Sequence, residues 1–175
     1  MPMINLGNII SKNLNLNTLS IFLVMFVIMM APVEACAKTV IDWDFSKATH
    51  GWTGNDRVEN LRSSIEGLVV KSTGEDPWIE GPAVDLPGDK MVRVKIRMKS
   101  TADPYAELFY GRAFVAGCSL RFTIRNDGQW HDYSLIIKEK LGPATRFRLD
   151  PCTDKGELAV ASISVETLSD VVAPL

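Results

Sequence analysis

Residues 91–99 alternate without a lapse: Val92, Val94, Ile96 and Met98 are apolar, and Arg93, Lys95, Arg97 and Lys99 are cationic. Successive side chains of a β-strand leave opposite faces, so this pattern gives one dry face and one wet face. A helix would scatter the same residues around its circumference. A register slip of one residue would drive the cations into the interior, so the pattern also fixes how the strand sits in its sheet.

The same period of two recurs along the chain. Residues 40–45 open it, residues 64–71 carry Leu68-Val69-Val70, and residues 105–114 are rich in aromatic rings. Residues 118–125 place Cys118, Leu120, Phe122 and Ile124 inward, with Arg121, Thr123 and Arg125 outward. Residues 130–138 set Tyr133, Leu135 and Ile137 on one side, residues 145–150 turn Phe147 and Leu149 inward, and residues 157–166 close the series. Asn126-Asp127-Gly128 predicts a hairpin, because these residues tolerate the positive φ that such turns require. Short strands separated by Gly and Pro, with no sustained helical period after Lys38, indicate a sandwich or barrel. The expected fold is all-β: two antiparallel sheets of about eight to ten strands in total.

The first segment reads differently. Residues 1–17 are Asn-rich with Lys12 as their only cation, residues 19–31 are apolar apart from Ser20, and Ala35-Cys36-Ala37 supplies small residues. That is the layout of a cleavable signal peptide, residues 1–37, and the apolar run is too short to span a bilayer. Cleavage there implies a secreted or periplasmic protein; anchoring through a lipid on Cys36 is the competing reading, against which Glu34 counts. The domain is then residues 38–167, with a loose tail at 168–175. Removing the signal leaves Cys118 and Cys152, and an oxidising compartment favours bridging them, the alternative being two buried thiols. The formal net charge of -2 is unchanged by cleavage, since Lys12 and Glu34 cancel. A chain with no basic excess lacks the field for nonspecific nucleic-acid binding. No paired His/Cys spacing suits zinc, and a monomer is expected.

Four stretches resemble the galactose-binding-like jelly-roll domains found as carbohydrate-binding modules and accessory domains of secreted bacterial proteins. They are DFSKATHGW (44–52), STGEDPWIEGPAVDLP (72–87), DGQWHDYSL (127–135) and RFRLDPCTDKGELAVASISVE (146–166). The resemblance runs over nearly the whole domain and implies a jelly roll with a carbohydrate ligand. Many such domains hold a structural calcium through an Asp before the last strand. Here that stretch is Leu158-Ala159-Val160-Ala161-Ser162-Ile163, without a carboxylate, so calcium is not favoured even with Asp42 and Asp44 nearby.

No nucleophile elbow and no zinc-protease motif is present, and the acids near a Trp expected to be exposed are Glu75, Asp76 and Glu80, an arrangement more suited to loop solvation than to hydrolysis. A non-catalytic module is expected. Sugars are bound by stacking on aromatic rings while polar groups take the hydroxyls, which makes Trp52, Trp78, Tyr105, Phe109 and Tyr110 the candidate platforms. The rings of Trp78 and Trp130 suit sealing the end of the core equally well. The outward cations, above all Arg97, Arg121 and Arg148, would grip an anionic polysaccharide if neighbouring strands gathered them. The plainer alternative is that they keep strands soluble, paired with Glu107 and Asp132. A structural or adhesion domain without a sugar ligand is the competing function.

Overall fold

The computed structural model describes residues 37–169, all in strands, turns and loops. The calls on the leader and on most of the tail lie outside these residues, as does Cys36. No described helix is long and apolar enough to cross a membrane.

The strands are β1 (Lys38–Asp44), β2 (Thr53–Gly54), β3 (Val58–Ser64), β4 (Gly67–Ser72), β5 (Ile79–Glu80), β6 (Val92–Ser100), β7 (Tyr105–Gly111), β8 (Ser119–Thr123), β9 (His131–Ile137), β10 (Arg146–Asp150) and β11 (Gly156–Thr167). One sheet runs β3-β4-β11-β6-β9, with β1 also paired to β11; the other runs β2-β5-β10-β7-β8. Both are antiparallel throughout. The two sheets face each other across one apolar core, the sandwich that alternation required.

The centre is the ladder between β6 and β11. Val92, Val94, Ile96 and Met98 are all at or below 1% exposure, and Ile163 and Val165 beside them are fully buried. A bulge between Val160 and Ser162 divides β11. Its first part pairs with β4 and its second with β1. Lys38 lies opposite Thr167, so the chain enters and leaves the sandwich at one pole. Gly156 lies at the other pole, so close to Ala102 that a Cβ there would sit 2.4 Å from the Ala102 Cβ.

The predicted hairpin at Asn126-Asp127-Gly128 does not form. The chain does turn: Gly128 has φ 73° and donates its N–H to the Ser100 carbonyl, and Asp127 accepts from the Gln129 N–H at 2.9 Å. However, β8 pairs with β7 and β9 with β6, in different sheets. Turn chemistry dictates that the chain reverses; which sheet receives the next strand is decided by the core.

Trp52 is corrected from a sugar platform to a core residue. His50 and Gly51, at φ 49° and 78°, fold the chain after β1 so that Trp52 turns inward to 2% exposure. It packs edge-on against Trp43 at 5.3 Å and Phe45 at 5.7 Å between ring centroids. Gly81 is required beneath it, since a Cβ would lie 2.7 Å from the indole. Tyr110 is likewise internal, at 2% exposure, with its hydroxyl donating to Glu139 at 2.9 Å.

The expected disulfide is absent: Cys118 and Cys152 are both free thiols. The register explains why. The Cys118 carbonyl accepts from Tyr110 at one end of β7, whereas Cys152 follows Asp150, which lies opposite Glu107 toward the other end. Four to five residues of strand separate them, about 15 Å at ~3.3 Å per residue, against the Cα separation of at most about 7 Å that a bridge needs. The Cys152 thiol instead donates to the Asp154 carbonyl at 3.2 Å.

Nor do the residues fit the calcium site of the resembled family. The Asp44 carboxylate is taken by Lys47 at 2.7 Å and by the Ser46 hydroxyl and N–H, which hold it down to about 2. Asp42 stands exposed on the outer face opposite Ser164. Among the described residues no three His, Cys, Asp or Glu side chains gather as a metal site.

Trp52→Ala should lower the unfolding free energy by about 3–5 kcal/mol, the cost of emptying a large aromatic site. The buried Trp52 indole N–H has no acceptor, so Trp52→Phe should cost clearly less in a urea titration, having no unpaired donor to bury. Alkali gives a second test. Burial, then the Glu139 hydrogen bond and charge, lifts Tyr110 from 10 to about 12, and burial lifts Cys152 from 9 to about 11. Raised folded-state values mean stability that is full below the unfolded values and lost as pH climbs through the folded ones. The urea midpoint should therefore fall between pH 9 and pH 12, and Tyr110→Phe should flatten the upper part of that fall.

Candidate functional site

The outer face of the five-stranded sheet is set by register. Tyr105 stands beside Thr123; Glu107 lies between Arg121 and Asp150; Phe109 lies between Ser119 and Arg148, which adjoins Glu80; and Arg146 lies opposite Gly111. Alternation puts all of these outward, because Ala106, Leu108, Tyr110, Phe147 and Leu149 between them are buried.

Arg148 organises the middle of this face. Its guanidinium carbon lies 5.0 Å from the ring centroids of both Trp78 and Phe109. Its Nε and one terminal nitrogen donate to the two oxygens of Asp150, each at 2.7 Å, and that terminal nitrogen also reaches Asp76 at 3.4 Å. Stacking and a bidentate carboxylate are what a planar guanidinium does better than an ammonium. Arg146 pairs with Glu80 and lies 5.3 Å from the Phe114 ring. Arg121 pairs with Glu107 at 3.1 Å. Burial raises the Asp150 carboxyl above its ordinary value, Arg148 opposes this, and Asp76 and Glu107 add to the rise.

Two side chains fix the loops that border the face. Asn55 donates to the Asp76 carbonyl at 2.8 Å and accepts from the Trp78 N–H, holding the turn in which Asp76 has φ 56°. Asp103 accepts from the backbone N–H groups of Tyr105, Thr153 and Asp154 and from the Thr153 hydroxyl. It thereby ties the start of β7 to the loop after β10.

Between these loops lies an open depression of about 490 Å³, lined by Tyr105, Glu107, Arg121, Thr123, Asp150 and Thr153, with Asp76 and Cys152 at its border. Tyr105 is 65% exposed, the one exposed Phe, Tyr or Trp side chain among the described residues. The pocket therefore offers a free ring together with carboxylate, guanidinium and hydroxyl groups, at the pole away from Lys38 and Thr167.

Of the residues expected to bind, Tyr105, Phe109, Trp78, Arg121 and Arg148 share this face. Trp78 and Phe109 are half-buried, and each already has Arg148 against its ring, so neither presents a bare platform. Trp52 lies in the core, as described. Arg97 sits on the outer face of the other sheet, bound to Asp132 at 2.7 Å, and with Lys99 covers the half-buried Trp130. No single cationic face forms, because β6 belongs to one sheet and β8 and β10 to the other. Around Arg97 the other cations are also matched: Arg93 and Lys95 by Glu166, and Lys99 by Glu66. The pairing of outward cations with Glu107 and Asp132 is the arrangement seen.

Glu107 and Asp150 as pocket walls, and Asp103 and Asn55 as braces, were not anticipated. The first two share strand parity with Tyr105 and Arg148 and could have been found from it. The braces depend on contacts between loops far apart in sequence, which leave no local signal. A second depression of about 590 Å³ lies on the six-stranded sheet, over Val69 and Ala159 between Lys71 and Lys99, and none of its lining residues is aromatic.

The sequence matches no family model and no curated relative. Its structure is similar to BiXyn10A CBM1, at 16% identity and a TM-score of 0.58, covering 75% of this chain and 99% of that one. The CBM22-1 xylan-binding domain of Paenibacillus barcinonensis Xyn10C aligns at 12% identity, a TM-score of 0.53, and coverage of 79% and 100%. The K3 cleaved adhesin domain of Lys-gingipain from Porphyromonas gingivalis aligns at 14% identity, a TM-score of 0.51, and coverage of 74% and 98%.

Arg148→Ala should cost about 3 kcal/mol near pH 7, because it leaves Asp150 charged in a mostly buried site without its counter-ion. Without the guanidinium the Asp150 value rises further, so the deficit should shrink as pH falls and that carboxyl protonates. Adding Asp150→Asn should recover much of the loss in a double-mutant cycle.

The described chain thus has the jelly-roll β-sandwich fold of the carbohydrate-binding modules.

Proposed function

We propose that this is a non-catalytic carbohydrate-binding module acting outside the cytoplasm, with its ligand in the Tyr105 pocket. The observation that carries this reading is the exposed Tyr105 ring standing over a depression lined with polar side chains. A phenol ring takes the C–H face of a pyranose while acceptors and donors around it take the hydroxyls. Asp103 supports the geometry by fixing the Tyr105 backbone before a ligand arrives, which lowers the ordering cost of binding.

The absence of catalysis is part of the proposal. Hydrolysis by two carboxylates needs an acid and a base or nucleophile free on opposite sides of a bond. Glu107 and Asp150 are neighbours on adjacent strands, and each is engaged by a guanidinium. Asp76 and Glu80 are engaged in the same way. An extracytoplasmic setting is supported by the leader-like residues 1–37 and by the kind of protein this fold resembles.

A second reading, an adhesion domain with a protein ligand, draws on the likeness to the gingipain adhesin domain. Electrophoresis through gels containing polysaccharide separates the two. The protein should be retarded by at least one polysaccharide, and Tyr105→Ala should weaken that retardation at least tenfold with an unchanged melting temperature. Trp130→Ala, on the other sheet, should leave retardation intact. Failure on every polymer rejects the carbohydrate reading and leaves the adhesion one; binding indifferent to Tyr105 rejects the pocket assignment alone.

A further inference from the structure

We propose that the Tyr105 pocket is built for uncharged sugars and turns away uronate and sulfated ones, an inference that rests on the carbohydrate-binding reading. It reverses the simplest expectation from the arginine-rich strands, and the reason is that each of these arginines already has a protein carboxylate beside it.

A guanidinium selects an anion when its fork is open. On this face the Arg148 fork is closed, whereas Arg121, bound to Glu107 through its Nε alone, keeps its terminal nitrogens toward solvent. Both oxygens of Asp150 fill the Arg148 fork at 2.7 Å, Glu107 holds Arg121 at 3.1 Å, and Glu80 holds Arg146. At Arg148 a sugar carboxylate or sulfate would have to displace a protein carboxylate that strand register keeps in place; at Arg121 it would lie beside Glu107. The displaced group would remain beside the ligand as a like charge.

The charge around the pocket points the same way. Asp76, Glu107 and Asp150 supply three negative charges against two positive ones from Arg121 and Arg148, that is 2 − 3 = −1. Glu107 and Asp150 are only 20% and 14% exposed in their side chains, so solvent screens them less than surface charges. Burial is the main cause of the rise in the Asp150 carboxyl, and Asp76 and Glu107 add to it.

A neutral pyranose meets no such obstacle. Its hydroxyls can donate to carboxylate lone pairs that Arg148, Arg121 and Ser119 leave unused, and accept from Arg121, whose side chain is 85% exposed, and from Thr123 and Thr153. The Tyr105 ring adds stacking that is indifferent to charge.

The test compares polymers that share a backbone and differ in charge. Hydroxyethyl cellulose, laminarin and galactomannan serve as neutral probes, and carboxymethyl cellulose, carboxymethylated laminarin, alginate and chondroitin sulfate as anionic ones, all at low salt. At least one neutral polymer should retard the full-length protein, with its anionic counterpart weaker by at least tenfold. Asp76→Asn combined with Glu107→Gln should narrow that gap, and so should raising salt toward 0.5 M, since the screening length shrinks to about 4 Å. Anionic polymers bound as well as neutral ones, through Tyr105, would overturn the charge inference and leave the carbohydrate reading standing. Retardation by no polymer of either kind would overturn both.

Discussion

Everything in this molecule depends on β11 being held on both flanks. On one side it pairs with β6 along nearly its whole length; on the other it is shared between β4 and β1. The bulge at its middle lets one strand serve two partners, and the Phe45 N–H uses the spare Ala161 carbonyl there at 3.0 Å. The apolar residues that this ladder aligns, from Val92 to Val165, form the floor on which the opposite sheet rests. Burial of that floor is the main driving force for a fold with few local contacts.

Once the inner faces are committed, the outer faces have to tolerate the residues left over. Alternation delivers a dense population of arginines and lysines to the surface, and antiparallel pairing sets carboxylates opposite or diagonal to them. Cross-strand pairs of this sort contribute modestly to stability. Their larger effect here is on chemistry: they consume the hydrogen-bonding capacity that a row of bare arginines would have shown to solvent. Arg148, clasped by two rings and a bidentate acid, has more in common with a structural pin than with a ligand-seeking finger. Tyr105, at the end of the same sheet and lacking such a neighbour, is what remains available.

The sandwich was legible because period-two alternation is a local record of burial. Val92 through Met98, Leu120 and Phe122, Phe147 and Leu149 all point as that record says. The edge strand β3 left no such record: Val-Glu-Asn-Leu-Arg-Ser-Ser contains a bulge between Glu59 and Arg62 and is only half-buried. The hairpin and the disulfide were misread for a related reason. Both require knowing which strands become neighbours, a nonlocal property, whereas turn residues and cysteine parity report only direction and facing. Trp52 shows the limit at single-residue scale. A Gly-Trp-Thr sequence in a loop looks exposed until Gly81, some thirty residues on, is seen to leave a slot shaped for the indole.

The placement of Lys38 and Thr167 side by side carries a mechanical consequence. β11 spans twelve residues, about 36–40 Å at ~3.3 Å per residue, from that shared pole to the pole of the Tyr105 pocket. A tether through either flank would suspend the sandwich like a lamp on its cord, with the Tyr105 end outermost. A pull between that end and the tether would then run lengthwise through β11, loading its hydrogen bonds in shear together rather than peeling them one after another.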